Sequence, residues 1–174
     1  MIIKKRSYPW KYVIVDDFIE ESNFYKIQHE AYNIFTDKDN GKKRGQFYLN
    51  EENWISSTLF NQLKLVCDKL KLDINFNSYY HQCELSVCQP EYDYDKIHTD
   101  VIYKKLTAVL YLSDTGTGTD LYYSSSKDSF AKTVHWKPNR VVLFQRTPHT
   151  WHNFHSLGCS ENRYTINLVL REYD

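Results

Sequence analysis

The sequence predicts a mainly β protein with helices at its N-terminal end, and three observations predict it. Apolar residues at helical spacing are confined to the stretch before Leu72, whereas from Tyr79 onward short β-branched and aromatic runs alternate with turn residues. The chain has 174 residues, 41% of them hydrophobic, enough for one substantial core and a single domain. Within that domain, residues 1–78 hold a strand and the helices, and residues 79–174 hold the strand-rich core.

Taken in order, Met1 to Tyr12 is charged and aromatic and lacks the continuous apolar stretch of a signal peptide. Tyr12 to Val15 reads as a short apolar strand, and Asp16 or Asp17 is placed to cap a helix from Phe18 to Phe35. Thr36 to Asn53 is polar, holds Gly41 and Gly45 and shows no period, so it reads as a loop of the length used for lids and binding segments. The run Lys42-Lys43-Arg44 inside it reads as solvated charge rather than a phosphate-binding patch. From Trp54 to Leu72, the apolar residues Ile55, Leu59, Leu63, Val66 and Leu70 recur every three or four positions, which predicts an amphipathic helix covering a sheet. Strands are predicted at His81 to Cys88, Leu106 to Leu112, Val141 to Phe144 and Tyr164 to Leu170. Helices first and strands after suit an antiparallel sandwich or barrel with the helices on one outer face.

Composition excludes several function classes. Lys plus Arg equals Asp plus Glu at 22 each, so no global attraction to nucleic acid or to an anionic membrane arises. No segment is long and apolar enough to span a bilayer, and the reading is a cytoplasmic protein. Cys67, Cys83, Cys88 and Cys159 have neither CxxC spacing nor disulfide-scaffold density, which predicts reduced thiols.

The chemistry concentrates in His98-Thr99-Asp100. On a strand, side chains two apart leave the same face, so His98 and Asp100 can grip one ion while Thr99 points away. A third imidazole from a distant strand would complete two histidines and a carboxylate on one side of a metal, with the opposite positions open, a set that suits ferrous iron. Three histidines are candidates for that place, His149, His152 and His155; His29, His81 and His135 read as surface or core histidines. Downstream, Arg163, Thr165 and Asn167 alternate with Tyr164, Ile166 and Leu168, an inward polar row that is costly unless it meets a polar ligand. The planar fork of Arg163 matches a carboxylate with two parallel bonds, and Thr165 shares its face.

In this second half the chain resembles the iron(II)- and 2-oxoglutarate-dependent dioxygenases, specifically their prolyl-4-hydroxylase-like branch. His98-Thr99-Asp100 stands at the family's HxD, and Lys105-Leu-Thr-Ala-Val-Leu-Tyr-Leu-Ser113 is similar to the strand that follows it. Gly118-Thr-Asp-Leu-Tyr122 and Trp136-Lys-Pro-Asn-Arg-Val-Val-Leu-Phe144 resemble the family's next two segments in the same order. The resemblance covers Tyr79 to Arg171 and implies a double-stranded β-helix, or jelly roll, flanked by support helices. It implies His98, Asp100 and His152 as metal ligands, His152 being preferred to its main rival His149 because it lies eleven residues before Arg163. Arg163 would bind the C5 carboxylate of 2-oxoglutarate with Thr165, and Thr107 and Tyr111, which share a strand face, would be further anchors. The cofactors implied are Fe(2+), 2-oxoglutarate as cosubstrate and dioxygen.

The activity implied is hydroxylation of an aliphatic C–H in a peptidyl prolyl residue or a small amino-acid-like molecule, with 2-oxoglutarate decarboxylated to succinate. Two departures from the family pattern imply that the substrate side differs: Cys88 stands where many relatives have a Tyr near the cosubstrate, and Pro90-Glu91-Tyr92 lacks the usual glycine. Tyr92-Asp93-Tyr94-Asp95 either contacts substrate or forms a polar turn. Two other readings use the same fold, a jelly-roll binding protein without redox chemistry and a cupin-type metal dioxygenase without 2-oxoglutarate. Arg163 argues against both, since neither needs a dicarboxylate anchor.

Overall fold

A computed structural model describes residues 1–38, 43–94 and 96–173. Its elements in chain order are β1 (Ile2–Arg6), β2 (Tyr12–Asp16), α1 (Glu21–Lys38), β3 (Arg44–Leu49), α2 (Trp54–Leu70), β4 (Tyr80–Cys88), β5 (Lys104–Tyr111), β6 (Thr119–Tyr122), β7 (Phe130–Val134), β8 (Val141–Gln145), β9 (His152–Asn153) and β10 (Arg163–Arg171). The strands form two antiparallel sheets, one of seven in the order β1-β2-β8-β5-β10-β4-β3 and one of three in the order β7-β6-β9.

Strand alternation sorts side chains to the two faces of the large sheet. Leu85, Leu106, Leu110, Leu143, Ile166 and Leu168 turn one way and pack against Phe24, Ile27, Phe35, Leu59, Leu63 and Val66 of the two helices. The opposite face meets the small sheet through a second cluster of Trp10, Tyr12, Tyr111, Leu121, Val134 and Phe144. The helices therefore form an outer layer on one face, as the sequence predicts, and the cavity described below opens on the other.

Several boundaries differ from the sequence reading. The Thr36 to Asn53 segment is not a loop throughout, because α1 runs on to Lys38 and β3 pairs with β4 from Arg44↔Cys88 to Leu49↔Cys83. Gly41 and Lys42 lie outside the described residues. Neither Asp16 nor Asp17 caps α1: Asp16 pairs with Arg140 and Lys4, Asp17 takes the left-handed turn at φ 53 and pairs with Lys137, and Glu20 accepts from Ser22 N instead. The second helix ends at Leu70, where Lys71 adopts the left-handed conformation and closes the last turn. The first half holds three strands rather than one, since β1 and β3 join the expected Tyr12 strand, β2, in the large sheet. The four cysteines are free. Among the described residues no helix is long and apolar enough to cross a membrane.

Candidate metal centre

His98 and Asp100 do not lie in a regular strand. His98 is joined to His152 of β9 by a single β-bridge, with His98 N donating to His152 O at 3.0 Å and His152 N to His98 O at 2.9 Å. That bridge brings the two imidazoles together, with ring centroids 4.4 Å apart and planes tilted at 51°. Donor atoms of His98, Asp100 and His152 all lie within 4.8 Å of one another, one ion's reach. Each imidazole is steered by a backbone carbonyl. Nδ1 of His98 lies 3.1 Å from Lys96 O and Nδ1 of His152 lies 2.9 Å from Thr150 O, so a proton held there leaves Nε2 free to ligate.

Asp100 is 6% exposed, and both its oxygens are engaged: Thr107 Oγ1 donates to Oδ2 at 2.6 Å, and Lys104 Nζ sits 3.0 Å from Oδ1. Burial alone would raise this carboxyl, but His152, Lys104 and Thr107 outweigh it and hold it below the usual range. Burial pushes His152 down to about 4, against the pull of Asp100. An ionised carboxylate and a neutral imidazole are the forms that ligate a metal.

These three donors line a cavity of about 420 Å³, within the range of small-molecule sites, together with Arg163, Thr165 and Thr107. Arg163 is 3% exposed. Its Nη2 donates to Gly118 O at 3.1 Å, its Nε is buried with no partner among the described residues, and its guanidinium lies about 5 Å from the Trp136 and Phe154 rings. An orphaned donor on a buried cation fits an anionic ligand. Asn153 Oδ1 is similarly buried and unpaired at the cavity wall.

Tyr111 stands behind the cavity rather than in it. It is fully buried, stacks on Trp136 at 4.3 Å and donates its hydroxyl to Thr119 Oγ1 at 2.8 Å, and Thr119 is the residue that lines the wall. His149 is exposed on a separate groove beside Trp10, and His155 pairs with Asp120 at 3.4 Å, so neither joins the three donors. Cys88 is buried opposite Arg163 in the β4–β10 register, and burial raises its thiol against the opposing guanidinium.

The sequence reading missed other cavity residues. Arg44, taken as solvated, is half-buried on β3 with its guanidinium 5.1 Å from the rings of both Tyr94 and Phe154 and its Nε unpaired. Tyr94 stacks on Phe154 at 4.8 Å and meets His98 edge-on, so this part of the Tyr92-Asp93-Tyr94-Asp95 segment walls the cavity. Asp93 bridges to His155, and Asp95 lies outside the described residues. Glu84 and Gln46 also line the cavity. The alternation of Gln82, Glu84 and Ser86 with Cys83, Leu85 and Val87 was the signal that could have found Glu84.

No family model and no curated protein matches the sequence. Solved structures do. The fold is similar to a prolyl-4-hydroxylase from Pseudomonas putida, at 14% identity over 94% of this chain and 93% of that one, with a TM-score of 0.69. It is similar to the viral collagen prolyl hydroxylase of Paramecium bursaria Chlorella virus-1 in its 2OG complex, at 14% identity over 94% and 96% and a TM-score of 0.68. A third likeness is HygX from Streptomyces hygroscopicus, solved with nickel and 2-oxoglutarate bound, at 11% identity over 92% and 82% and a TM-score of 0.65. Spanning nearly the whole chain, these likenesses establish that it has the fold of the prolyl-4-hydroxylase-like 2-oxoglutarate oxygenases.

Proposed function

We propose that the protein is an iron(II)- and 2-oxoglutarate-dependent oxygenase on a double-stranded β-helix, hydroxylating an aliphatic C–H of a peptidyl prolyl residue or a small amino-acid-like molecule. The observation that carries this reading is the presence of His98, Asp100, His152 and the buried, partly unpaired Arg163 in one cavity. The bound iron and 2-oxoglutarate would supply the oxidising chemistry, dioxygen being consumed as the keto acid loses carbon dioxide and becomes succinate.

The chain's own residues supply placement. His98, Asp100 and His152 would hold the ion from one side, leaving the opposite side for ligands. Thr107 and Lys104 fix the Asp100 carboxylate, and the carbonyls of Lys96 and Thr150 fix the two imidazoles. Arg163 would take the far carboxylate of 2-oxoglutarate with its guanidinium fork, and Thr165, two residues on along the same face, would add a hydroxyl. Tyr111 would act through Thr119, to which it is bonded, and Thr107 through Asp100. The rings of Tyr94, Phe154 and Phe144 crowd the two histidines or their neighbours and would limit water at the reacting position.

The test is oxygen-dependent conversion of 2-oxoglutarate to succinate by the iron-loaded protein, screened with proline-containing peptides, free amino acids and oligonucleotides. The reading expects succinate release that a peptide or amino acid stimulates. Stimulation by oligonucleotides alone would overturn the substrate assignment, and no turnover under any condition would overturn the activity.

A further inference from the structure

The cavity contains a buried charge of the sign opposite to Arg163. Glu84 of β4 is 7% exposed and lines the cavity. Its Oε1 accepts from Gln46 Nε2 on β3 at 2.8 Å and from Asn167 Nδ2 on β10 at 2.9 Å. The Tyr48 hydroxyl on β3 is a further neutral partner of this carboxyl, and among the described residues no Lys or Arg lies within ion-pair distance of either oxygen. The charge is felt by its neighbour, for burial first and then Glu84 push the Tyr48 hydroxyl up.

A carboxyl held away from water with no cation beside it is costly to keep, and neutral amide and phenol donors offset that less well than a positive charge does. What would complete the site is a positively charged hydrogen-bond donor from outside the protein. Its walls suit one, since Tyr48, Tyr94 and Tyr103 all line the same cavity and aromatic faces attract cations. Position separates this group from the anion anchor: Asn167 and Tyr48 flank Glu84 in register, while Arg163 lies opposite Cys88, four residues further along β4 and about 13 Å away by strand rise. Glu84 would repel a dicarboxylate, so it serves the other reactant.

We infer that Glu84 is the specificity-determining group of a cation subsite, and that the molecule bound there carries an ammonium or guanidinium, as a basic amino acid or a basic peptide side chain does. The inference rests on the oxygenase reading for calling that molecule a substrate, but not for its binding. It narrows the substrate class from amino-acid-like molecules in general to those with a second, positively charged end.

Calorimetric titration tests it with L-lysine and L-arginine against the neutral near-isosteres L-norleucine and L-citrulline, and with lysyl- and prolyl-containing tripeptides. Each titration is run on the protein alone and with manganese(II) and 2-oxoglutarate present. The expected result is a preference of about tenfold or more for the basic member of each pair, lost in Glu84→Gln with little change for the neutral member. Equal binding of basic and neutral probes, binding of neither, or an equal loss for both in Glu84→Gln would overturn it. Melting temperatures show whether Glu84→Gln keeps its fold; if that variant melts early, selectivity within each pair in the unaltered protein decides alone. Succinate release from iron-loaded samples separates the two readings. A basic preference without succinate refutes the oxygenase and leaves the subsite, whereas succinate release without a preference does the reverse.

Discussion

Replacing Arg163 by Met should separate ligand-free stability from cosubstrate affinity. The guanidinium is 3% exposed and among the described residues makes one hydrogen bond, to Gly118 O, with Nε buried and unpaired. Burial lowers its pKa, with Cys88 and Tyr111 pulling the other way. Removing an unsatisfied buried donor recovers about 1–3 kcal/mol and relieving the buried charge about 1–4 kcal/mol, while losing the Gly118 bond costs about 1.5–3 kcal/mol and the ring contacts to Trp136 and Phe154 about 0.5–2 kcal/mol each. These terms nearly cancel, so ligand-free Tm should move by no more than a few degrees at about 2–4 °C per kcal/mol. Binding should respond very differently, because breaking a buried carboxylate–guanidinium pair costs about 2–5 kcal/mol, a loss of about 30-fold or more. Arg163→Lys, which keeps the charge but not the fork, should fall between. The assay is calorimetric titration of 2-oxoglutarate into manganese-loaded protein, paired with the Tm shift the ligand produces. Tight 2-oxoglutarate binding by Arg163→Met, with the ligand-induced Tm shift intact, would refute the reasoning.

Thr107→Val should weaken metal binding by about 10–100-fold while leaving 2-oxoglutarate affinity at saturating metal nearly unchanged, because Thr107 Oγ1 holds Asp100 Oδ2 at 2.6 Å. Competitive metal titration reads the first quantity, and weakened 2-oxoglutarate with unchanged metal affinity would return Thr107 to a direct anchoring role. Asp16 provides a pH-dependent term. Burial alone would raise it, but hydrogen bonds from Arg140 at 2.6 Å and Lys4 at 2.8 Å outweigh this and hold it at about 2 against a reference of 3.8. A folded-state pKa below the unfolded one stabilises above the unfolded value, by about 2 kcal/mol here, and that stability is lost as pH falls from about 4 towards 2. Asp16→Asn should therefore be less stable than the parent in urea at pH 6 and converge with it in strong acid; a gap constant over that range would contradict the assignment.

The interior strands were legible because burial imposes a period. Arg163, Thr165 and Asn167 face the cavity while Ile166, Leu168 and Leu170 pack under the helices, the alternation visible in the sequence. Edge strands were not legible. Both β1 and β3 end the large sheet, and with Lys4, Lys5 and Arg6 on one and exposed Gln46 and Tyr48 on the other they carry the charge and polarity that protect an edge from mispairing. The same polarity made Arg44–Leu49 read as loop and Arg44 as solvated charge, since only its pairing with Cys88 brings it to the cavity. At the candidate metal centre His98 and Asp100 were picked out by spacing and His152 by the family resemblance, but the strand invoked to align them is absent; a lone bridge to His152 does that work, and a long-range pairing of this kind leaves no local signal. Asp16 looked like a helix cap because local spacing cannot reveal Arg140, 124 residues away.

In the proposed oxygenase His98, Asp100 and His152, with Arg163 in the same cavity, would hold iron(II) and 2-oxoglutarate together. Anaerobic visible spectroscopy tests it most directly, because an α-keto acid chelating ferrous iron produces a charge-transfer absorption that neither component has alone. This band is expected in the parent protein and in His149→Ala, and its loss in His98→Ala, Asp100→Ala and His152→Ala with the fold intact by circular dichroism. A band that survives in His152→Ala and disappears in His149→Ala, or one that never forms in the parent protein, would contradict it.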